Sequence, residues 1–235
     1  MRKTIVVSGG AKGLGRAIAR RFAEGGYNIA VCGRTLEDLQ KFEQELRADF
    51  SGCQVLVFQA DLKKSAEAKA FAAAVQSAFG DVDILVNNAG TYIGGSICSE
   101  ADGVLEQLVE TNLYSAYYLS RAILPGMRAA GTGHIFNMCS VASILAYPNG
   151  GSYSVSKFAL LGFSKSLREE LKNEGIKVTS LLPGATWSDS WAGVDLPEER
   201  LMPATDIADV VWAASQLSKT GVVEEIIIRP QLGDL

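Results

Sequence analysis

The segment Thr4-Ile5-Val6-Val7-Ser8-Gly9-Gly10-Ala11-Lys12-Gly13-Leu14-Gly15 sets the architecture of this chain. Its β-branched start runs into a glycine cluster, and from Gly13 onward Ile18, Ala19, Phe22 and Ala23 recur at helical spacing. The reading is strand, glycine loop, helix. Gly9, Gly13 and Gly15 are spaced G-x-x-x-G-x-G. Glycines so placed allow a tight turn, let the backbone approach a pyrophosphate and set that anion at a helix N-terminus, where N–H groups and the helix dipole favour it. A glycine loop alone can equally be a turn that binds nothing, so the rest of the chain must decide.

The same alternation continues. Asn28 to Cys32 reads as a strand, Leu36 to Phe50 as a helix, Gln54 to Phe58 as a strand, Ser65 to Phe79 as an alanine-rich helix and Ile84 to Val86 as a strand. A helical region from about Ala101 to Met127 leads to strand His134 to Met138, and a helix from about Tyr153 to Asn173 leads to strand Lys177 to Leu182. An irregular stretch, Ala185 to Pro203, precedes a helix from Asp206 with Thr205 as its N-cap, and Val222 to Ile228 is the last strand. Strands alternating with helices imply parallel neighbours joined by crossover helices. The expected fold is therefore α/β: a Rossmann-type doubly wound parallel sheet of about seven strands, with helices on both faces, forming a single domain over residues 1–235. Ile84-Leu85-Val86 and Glu225-Ile226-Ile227-Ile228 are continuous runs rather than alternating ones, as expected of strands covered on both faces.

Composition narrows the function. The 235 residues are 48% hydrophobic and 20% charged, enough apolar material for a full core, which excludes a disordered chain. A net charge of -4, with no basic run longer than Lys63-Lys64, argues against nucleic acid, whose phosphates are held mainly by clustered Lys and Arg. No stretch reaches the ~20 apolar residues of a membrane span, and the start lacks the apolar region and cleavage site of a signal peptide, so no membrane partner and a cytoplasmic location are expected. Cys32, Cys53, Cys98 and Cys139 form no C-x-x-C and read as reduced thiols, and the lone His134, at the start of a strand, leaves no His pair for zinc. No metal site is expected.

The end of the second strand, Val31-Cys32-Gly33-Arg34-Thr35, carries no acid for the 2'-hydroxyl of NAD. Arg34 can instead pair with a 2'-phosphate, and Lys12 in the glycine loop can add a second cation, which favours NADP(H) over two merely solvated side chains. Tyr153 and Lys157 lie four apart on one helix face and can act on one ligand. A phenol ordinarily ionises at about pH 10, so for proton transfer near neutrality it needs a cation beside its phenolate. Ser140 follows the strand ending at Met138, which sets a hydroxyl at the carboxyl end of a parallel strand, where open α/β sheets bind ligands.

Together these motifs resemble the short-chain dehydrogenases/reductases over essentially the whole chain. Ser8 to Gly15 resembles that family's T-G-x-x-x-G-x-G, with Ser8 for Thr. Asp61-Leu62 resembles its adenine contact, Asn87-Asn88-Ala89-Gly90 its N-N-A-G, Asn112 its active-site asparagine, and Ser140, Tyr153 and Lys157 its catalytic set. Pro183-Gly184 followed by Thr186 resembles its P-G-x-T beside the nicotinamide. The resemblance implies hydride transfer between a nicotinamide and a small-molecule carbonyl or alcohol. Tyr153 would be the proton donor in reduction, and Ser140 would orient the carbonyl oxygen. Lys157 would support the phenolate and hold the nicotinamide ribose, and Asn112 would anchor a water leading from Lys157 to solvent.

Residues 185–204 correspond to the family's substrate lid, where Trp187 and Trp191 either wall the pocket or pack the lid. The ending from Val223 to Asp234 resembles the sepiapterin-reductase-like branch, and the G-x-x-x-x-V-D-G-G ending of 3-oxoacyl-(acyl-carrier-protein) reductases is missing. A ketone or diketone, of which a pterin-like compound is one form, is therefore expected over a carrier-bound acyl chain. Helices at about 101 to 127 and 153 to 173 resemble those through which the family pairs, with Phe158, Leu161 and Leu167 exceeding one core-facing stripe; a homodimer or homotetramer follows.

Overall fold

In chain order the strands are β1 (Thr4–Ser8), β2 (Asn28–Gly33), β3 (Val55–Gln59), β4 (Ile84–Asn87), β5 (Gly133–Met138), β6 (Ile176–Pro183) and β7 (Glu225–Ile228). The helices are α1 (Gly13–Glu24), α2 (Leu36–Asp49), α3 (Ser65–Phe79), α4 (Val104–Val109), α5 (Ser115–Ala130), α6 (Gly151–Leu171) and α7 (Ala204–Ser215). This is a computed structural model, and it describes residues 2–188, 191 and 193–234. The strands form a seven-stranded sheet in the order β3-β2-β1-β4-β5-β6-β7, every pairing parallel.

Side chains of successive strand residues point to opposite faces, and the two cores divide accordingly. Ile5, Val7, Ile29, Val31, Val86 and Phe136 face one side and pack against Ile18 and Phe22 of α1, Leu39, Phe42 and Leu46 of α2, and Ile207 and Val211 of α7. Val6, Ala30, Cys32, Leu85 and Ile135 face the other, against Phe71 and Val75 of α3, Leu119 and Ile123 of α5, and Leu167 and Leu171 of α6. Both faces are apolar because both are covered. Each fully buried Leu, Ile or Phe contributes about 1.5–3 kcal/mol of transfer free energy, so the central strands anchor everything built at their carboxyl ends.

Several boundaries differ from the sequence reading. The long helix expected from 101 to 127 is three pieces: α4, a π-helical segment Glu110–Tyr114, and α5. A π-segment inserts an extra residue per turn and rotates the helix beyond it, and here it buries Asn112. The last helix starts at Ala204 with Pro203 at the N-cap, so Thr205 lies inside the first turn and caps nothing. Strand β7 is four residues long, and as an edge strand it leaves Glu225 and Ile227 exposed rather than covered. Leu161 and Leu167 are buried, leaving Phe158 as the exposed member of that trio. Both leucines are buried because α6 is covered on more than one side: Leu161 packs with Leu160 and Leu182, Leu167 with the sheet core. No described helix is long and apolar enough to cross a membrane.

His134, at the start of β5, is buried, its Nε2 sharing a 2.8 Å hydrogen bond with Thr179 Oγ1 and its ring stacked on Phe136 at 3.9 Å. Burial, aided by nearby Lys177, pushes its pKa down from 6.5 to about 3. Between those values the unfolded chain takes up a proton that the folded chain refuses. The contribution of His134 is therefore intact above pH 6.5 and is lost on acidification, at up to roughly 1.4 kcal/mol per pH unit, until about pH 3. Urea unfolding from pH 7 to 4.5 is expected to show this slope in the wild type and a flatter one in His134→Gln; equal slopes would assign the acid sensitivity elsewhere.

Candidate active site

The site begins where β1 and β4 run side by side and their following helices pass to opposite faces, the position at which doubly wound sheets open a crevice. Ser8, buried at the end of β1, accepts hydrogen bonds at Oγ from the backbone N–H groups of Asn88 and Ala89, both at 2.9 Å. Asn88 Nδ2 donates back to the carbonyls of Ser8 (3.0 Å) and Gly9 (3.1 Å). The glycine loop and the Asn87–Gly90 segment are thus one stitched unit. Gly9 (φ 62°) and Gly13 (φ 51°) are left-handed, and a Cβ on Gly15 would lie 2.4 Å from the Gly9 carbonyl oxygen. The loop therefore lies flat on the start of α1, with half-buried Leu14 packed against the core. Among the described residues no side chain caps α1, and its first turn carries no acid, so the positive end of the helix suits a diphosphate.

Arg34 stands exposed beyond β2, its carbonyl held by Gln59 Nε2 at 2.8 Å, and Thr35 sits at the N-cap of α2 without a side-chain bond. Lys12 pairs with Asp38 at 2.8 Å, which ties the glycine loop to the first turn of α2. The acid missing from the strand end therefore reappears four residues past Arg34 and engages the second cation. Past β3, the Asp61 N–H donates to Glu67 Oε2 at 2.6 Å, Asp61 Oδ1 accepts from the Lys63 N–H at 3.2 Å, and Leu62 is buried in the core below.

At the ends of β4, β5 and β6 the remaining groups converge. Ser140 is extended (φ -166°) and caps a short 3-10 turn, Val141–Ser143; its Oγ accepts from the Ala142 N–H at 3.1 Å and faces the Pro183 carbonyl at 3.5 Å. Lys157 is buried, and its Nζ donates to the Met138 carbonyl at 2.8 Å and lies 5.8 Å from the centroid of the Tyr153 ring. No carboxylate among the described residues forms an ion pair with it. Asn112 is nearly fully engaged: Oδ1 accepts from the Thr91 N–H (2.7 Å), and Nδ2 donates to the Thr91 carbonyl (3.0 Å) and Ser156 Oγ (2.9 Å). One lone pair of Oδ1 is left for a water. Gly90 lies between them, since a Cβ there would be 3.1 Å from Asn112 Oδ1 and 3.6 Å from Lys157 Nζ. Cys139, beside Ser140, is buried with its thiol pushed up to about 11, mainly by burial, which makes it a poor nucleophile.

After β6 the Gly184 N–H donates to the Ile228 carbonyl at 2.8 Å, and buried Thr186 donates from Oγ1 to the Gly184 carbonyl at 3.0 Å. The Trp187 indole N–H is bound to the Glu198 carbonyl at 2.7 Å, so this ring packs the lid internally. Positions 189, 190 and 192 of the expected lid lie outside the described residues.

Three contributors were not singled out in the sequence. Tyr92 packs edge-on against the Tyr153 ring at 4.9 Å and 82°. Tyr147 lies near Tyr92 and Tyr153, and its phenol is pushed well above the usual range, first by partial burial and then by the charges of its neighbours. Glu100 accepts from the hydroxyl of Ser152 and fastens the first turn of α6, the turn that carries Tyr153. Tyr92 lies two residues past Gly90, a position its proximity to the N-N-A-G segment could have flagged; Tyr147 and Glu100 carry no local signal.

The chain matches the short chain dehydrogenase family over residues 3–198. It is 32% identical to a sepiapterin reductase of Chlorobaculum tepidum over 244 aligned residues, covering 100% of this chain and 99% of that one. Among solved structures, an alcohol dehydrogenase from the archaeon Thermococcus sibiricus complexed with 5-hydroxy-NADP superposes with a TM-score of 0.91 at 28% identity, over 98% of this chain and 97% of that one. An L-sorbose reductase from Gluconobacter frateurii complexed with NADPH and L-sorbose gives a TM-score of 0.88 at 30% identity, over 97% and 95%. The protein is a member of the short-chain dehydrogenase family.

Proposed function

We propose that the protein reduces a small ketone or diketone to an alcohol with NADPH. The observation that carries this reading is the buried Lys157, held by the Met138 carbonyl beside Tyr153 without a carboxylate partner among the described residues. A buried cation that no anion neutralises is suited to stabilise a phenolate. When bound, the nicotinamide supplies the hydride. Tyr153 hands its hydroxyl proton to the carbonyl oxygen as negative charge builds there, and Ser140 donates a second hydrogen bond to that oxygen. Lys157 then holds the phenolate and the ribose hydroxyls, and a water on Asn112 Oδ1 returns the proton. The stitched glycine loop with Ser8, Gly9, Gly13, Leu14 and Gly15 takes the diphosphate. Arg34, Lys12 and Thr35 take the 2'-phosphate end, Asp61 and Leu62 the adenine, Asn88, Ala89 and Gly90 the adjoining ribose, and Pro183, Gly184 and Thr186 the nicotinamide. The 5-hydroxy-NADP and NADPH bound by the two structural neighbours support the same class of cofactor here.

Aromatic side chains beside Tyr153 support a compact substrate. Tyr92 and Tyr147 add flat aromatic surface beside Tyr153, which suits a compact planar carbonyl compound. The full-length likeness to a sepiapterin reductase points the same way. The test is kcat/KM with NADPH for sepiapterin or a simple vicinal diketone against a 3-oxoacyl thioester. The diketone or pterin is expected to lead by at least about tenfold, the worth of a single ~1.4 kcal/mol contact. A faster thioester would move the protein to carrier-bound acyl reduction, the reading in second place.

The active unit is a homodimer or homotetramer on this account. Tyr114, Tyr117, Val155 and Phe158 leave an exposed apolar surface on the π-segment, α5 and α6, more than scattered single side chains require. Light scattering at micromolar concentration is expected to give a multiple of 25.0 kDa; the monomer mass would refute it.

A further inference from the structure

Beyond β7 the chain does not simply leave the sheet. The Gly233 N–H donates to the Pro230 carbonyl at 2.8 Å, and Gly233 is left-handed (φ 81°), which turns Asp234 back toward the end of β6. There Asp234 Oδ1 accepts from the Ala185 N–H at 3.0 Å, and Oδ2 pairs with Arg229 Nε at 2.6 Å. The approach is so close that a Cβ on Gly184 would lie 2.0 Å from Asp234 Oδ1. The other side of the same segment is also tied: the Met202 N–H donates to the Ala185 carbonyl at 3.2 Å, and the Trp187 N–H donates to the Met202 carbonyl at 2.9 Å. Arg200, two residues before Met202, closes the ring, donating to the carbonyls of Gly233 (2.8 Å) and Asp234 (3.3 Å).

Gly184 to Trp187 is therefore gripped between the far end of the lid and the segment Pro230–Asp234, and the two grips are joined through Arg200. Ala185 is held by both its N–H and its carbonyl. Pro183, at the start of the gripped segment, also faces Ser140 Oγ through its carbonyl, so a shift of this backbone reaches the catalytic hydroxyl directly. Asp234 also acts electrostatically on Tyr147 at the mouth of the site.

We propose that Asp234 is a positioning residue for hydride transfer, fixing the 183–186 backbone against the nicotinamide, with Arg200 coupling that grip to the lid. This rests on the reading that residues 183–186 flank the nicotinamide. The carboxylate does so through one hydrogen bond to Ala185 and one ion pair to Arg229. Loss of the hydrogen bond loosens the segment, whereas loss of the charge alone leaves an acceptor in place. Asp234→Asn keeps Oδ1 for the Ala185 N–H, Asp234→Ala removes it, and Arg200→Gln spares Asp234 while cutting the tie to the lid.

Two measurements on the full chain test this. In steady-state reduction of a diketone, Asp234→Ala is expected to lower kcat about tenfold to a hundredfold while the KM for NADPH rises less than about threefold, because most cofactor contacts are elsewhere. Asp234→Asn is expected to stay within about threefold of wild type, and Arg200→Gln to fall between. A merely structural role would lower folded yield and Tm of both Asp234 variants without changing kcat per folded molecule, and that outcome overturns the proposal. In hydrogen exchange without substrate, NADPH is expected to protect the amides of residues 184–187 in wild type and to protect them far less in Asp234→Ala. Equal protection in both overturns the proposal whether or not any carbonyl is turned over. A wild type that is protected by NADPH yet reduces nothing would instead count against the proposed reaction.

Discussion

Tyr153→Phe is expected to lower kcat for carbonyl reduction by about a hundredfold to ten-thousandfold, the usual contribution of a positioned general acid. The substitution removes one hydroxyl and keeps the ring, so the edge contact with Tyr92 survives and the fold has no reason to change. The proposed cofactor contacts come chiefly from the glycine loop, Arg34 and Lys157, so the Kd for NADPH, read by fluorescence titration, is expected to stay within about threefold. The two results together separate proton donation from binding. Turnover within tenfold of wild type would mean that another group protonates the alkoxide. Tyr147 is the weaker candidate for that group, because partial burial and its neighbours raise its pKa and, among the described residues, no lysine is placed beside it as Lys157 is beside Tyr153.

The second large effect concerns the phosphate that separates the two nicotinamide cofactors. Arg34→Ala is expected to raise the KM for NADPH about tenfold to 150-fold and to leave that for NADH nearly unchanged, as the loss of a charge-assisted contact of ~1.5–3 kcal/mol requires. Arg34 is exposed and, among the described residues, held only through its carbonyl to Gln59, which leaves its guanidinium to a ligand. Lys12 differs, because it is already paired with Asp38 at 2.8 Å and a phosphate must share it. Lys12→Ala is therefore expected to cost less than Arg34→Ala. Parallel kcat/KM values for NADPH and NADH in both variants check this; equal preference for the two cofactors in the wild type would remove its basis.

The sheet was legible because its signals are local and repeated. Each strand is a short apolar run, each glycine turn is explicit, and α1 follows the glycine loop in a periodicity that nothing contradicts. The limits of legibility are physical too. Periodicity does not reveal a π-segment, because Glu110 to Tyr114 continues the helical pattern and differs only in which side chains turn inward. Composition does not reveal an edge, so β7 reads like an interior strand although Ile227 is exposed. In the candidate site, the placement of Ser140 at a strand end and of Tyr153 and Lys157 on one helix face was legible from spacing, while their proposed roles came from the family resemblance. Asp234 was not, because its partners Ala185 and Arg229 lie 49 and 5 residues away and only the turn at Gly233 brings it back. The ion pair of Lys12 with Asp38 escaped for a related reason, since it joins two elements whose separation the sequence does not state.

NADPH-dependent carbonyl reduction at Tyr153 is checked by a single balance. Purified protein is incubated with NADPH and a vicinal diketone, and cofactor oxidised and alcohol formed are both quantified. One alcohol per NADPH consumed is expected in the wild type, with both falling together in Tyr153→Phe. NADPH that binds to the wild type without any alcohol formed from diketone, pterin or thioester would contradict this chemistry.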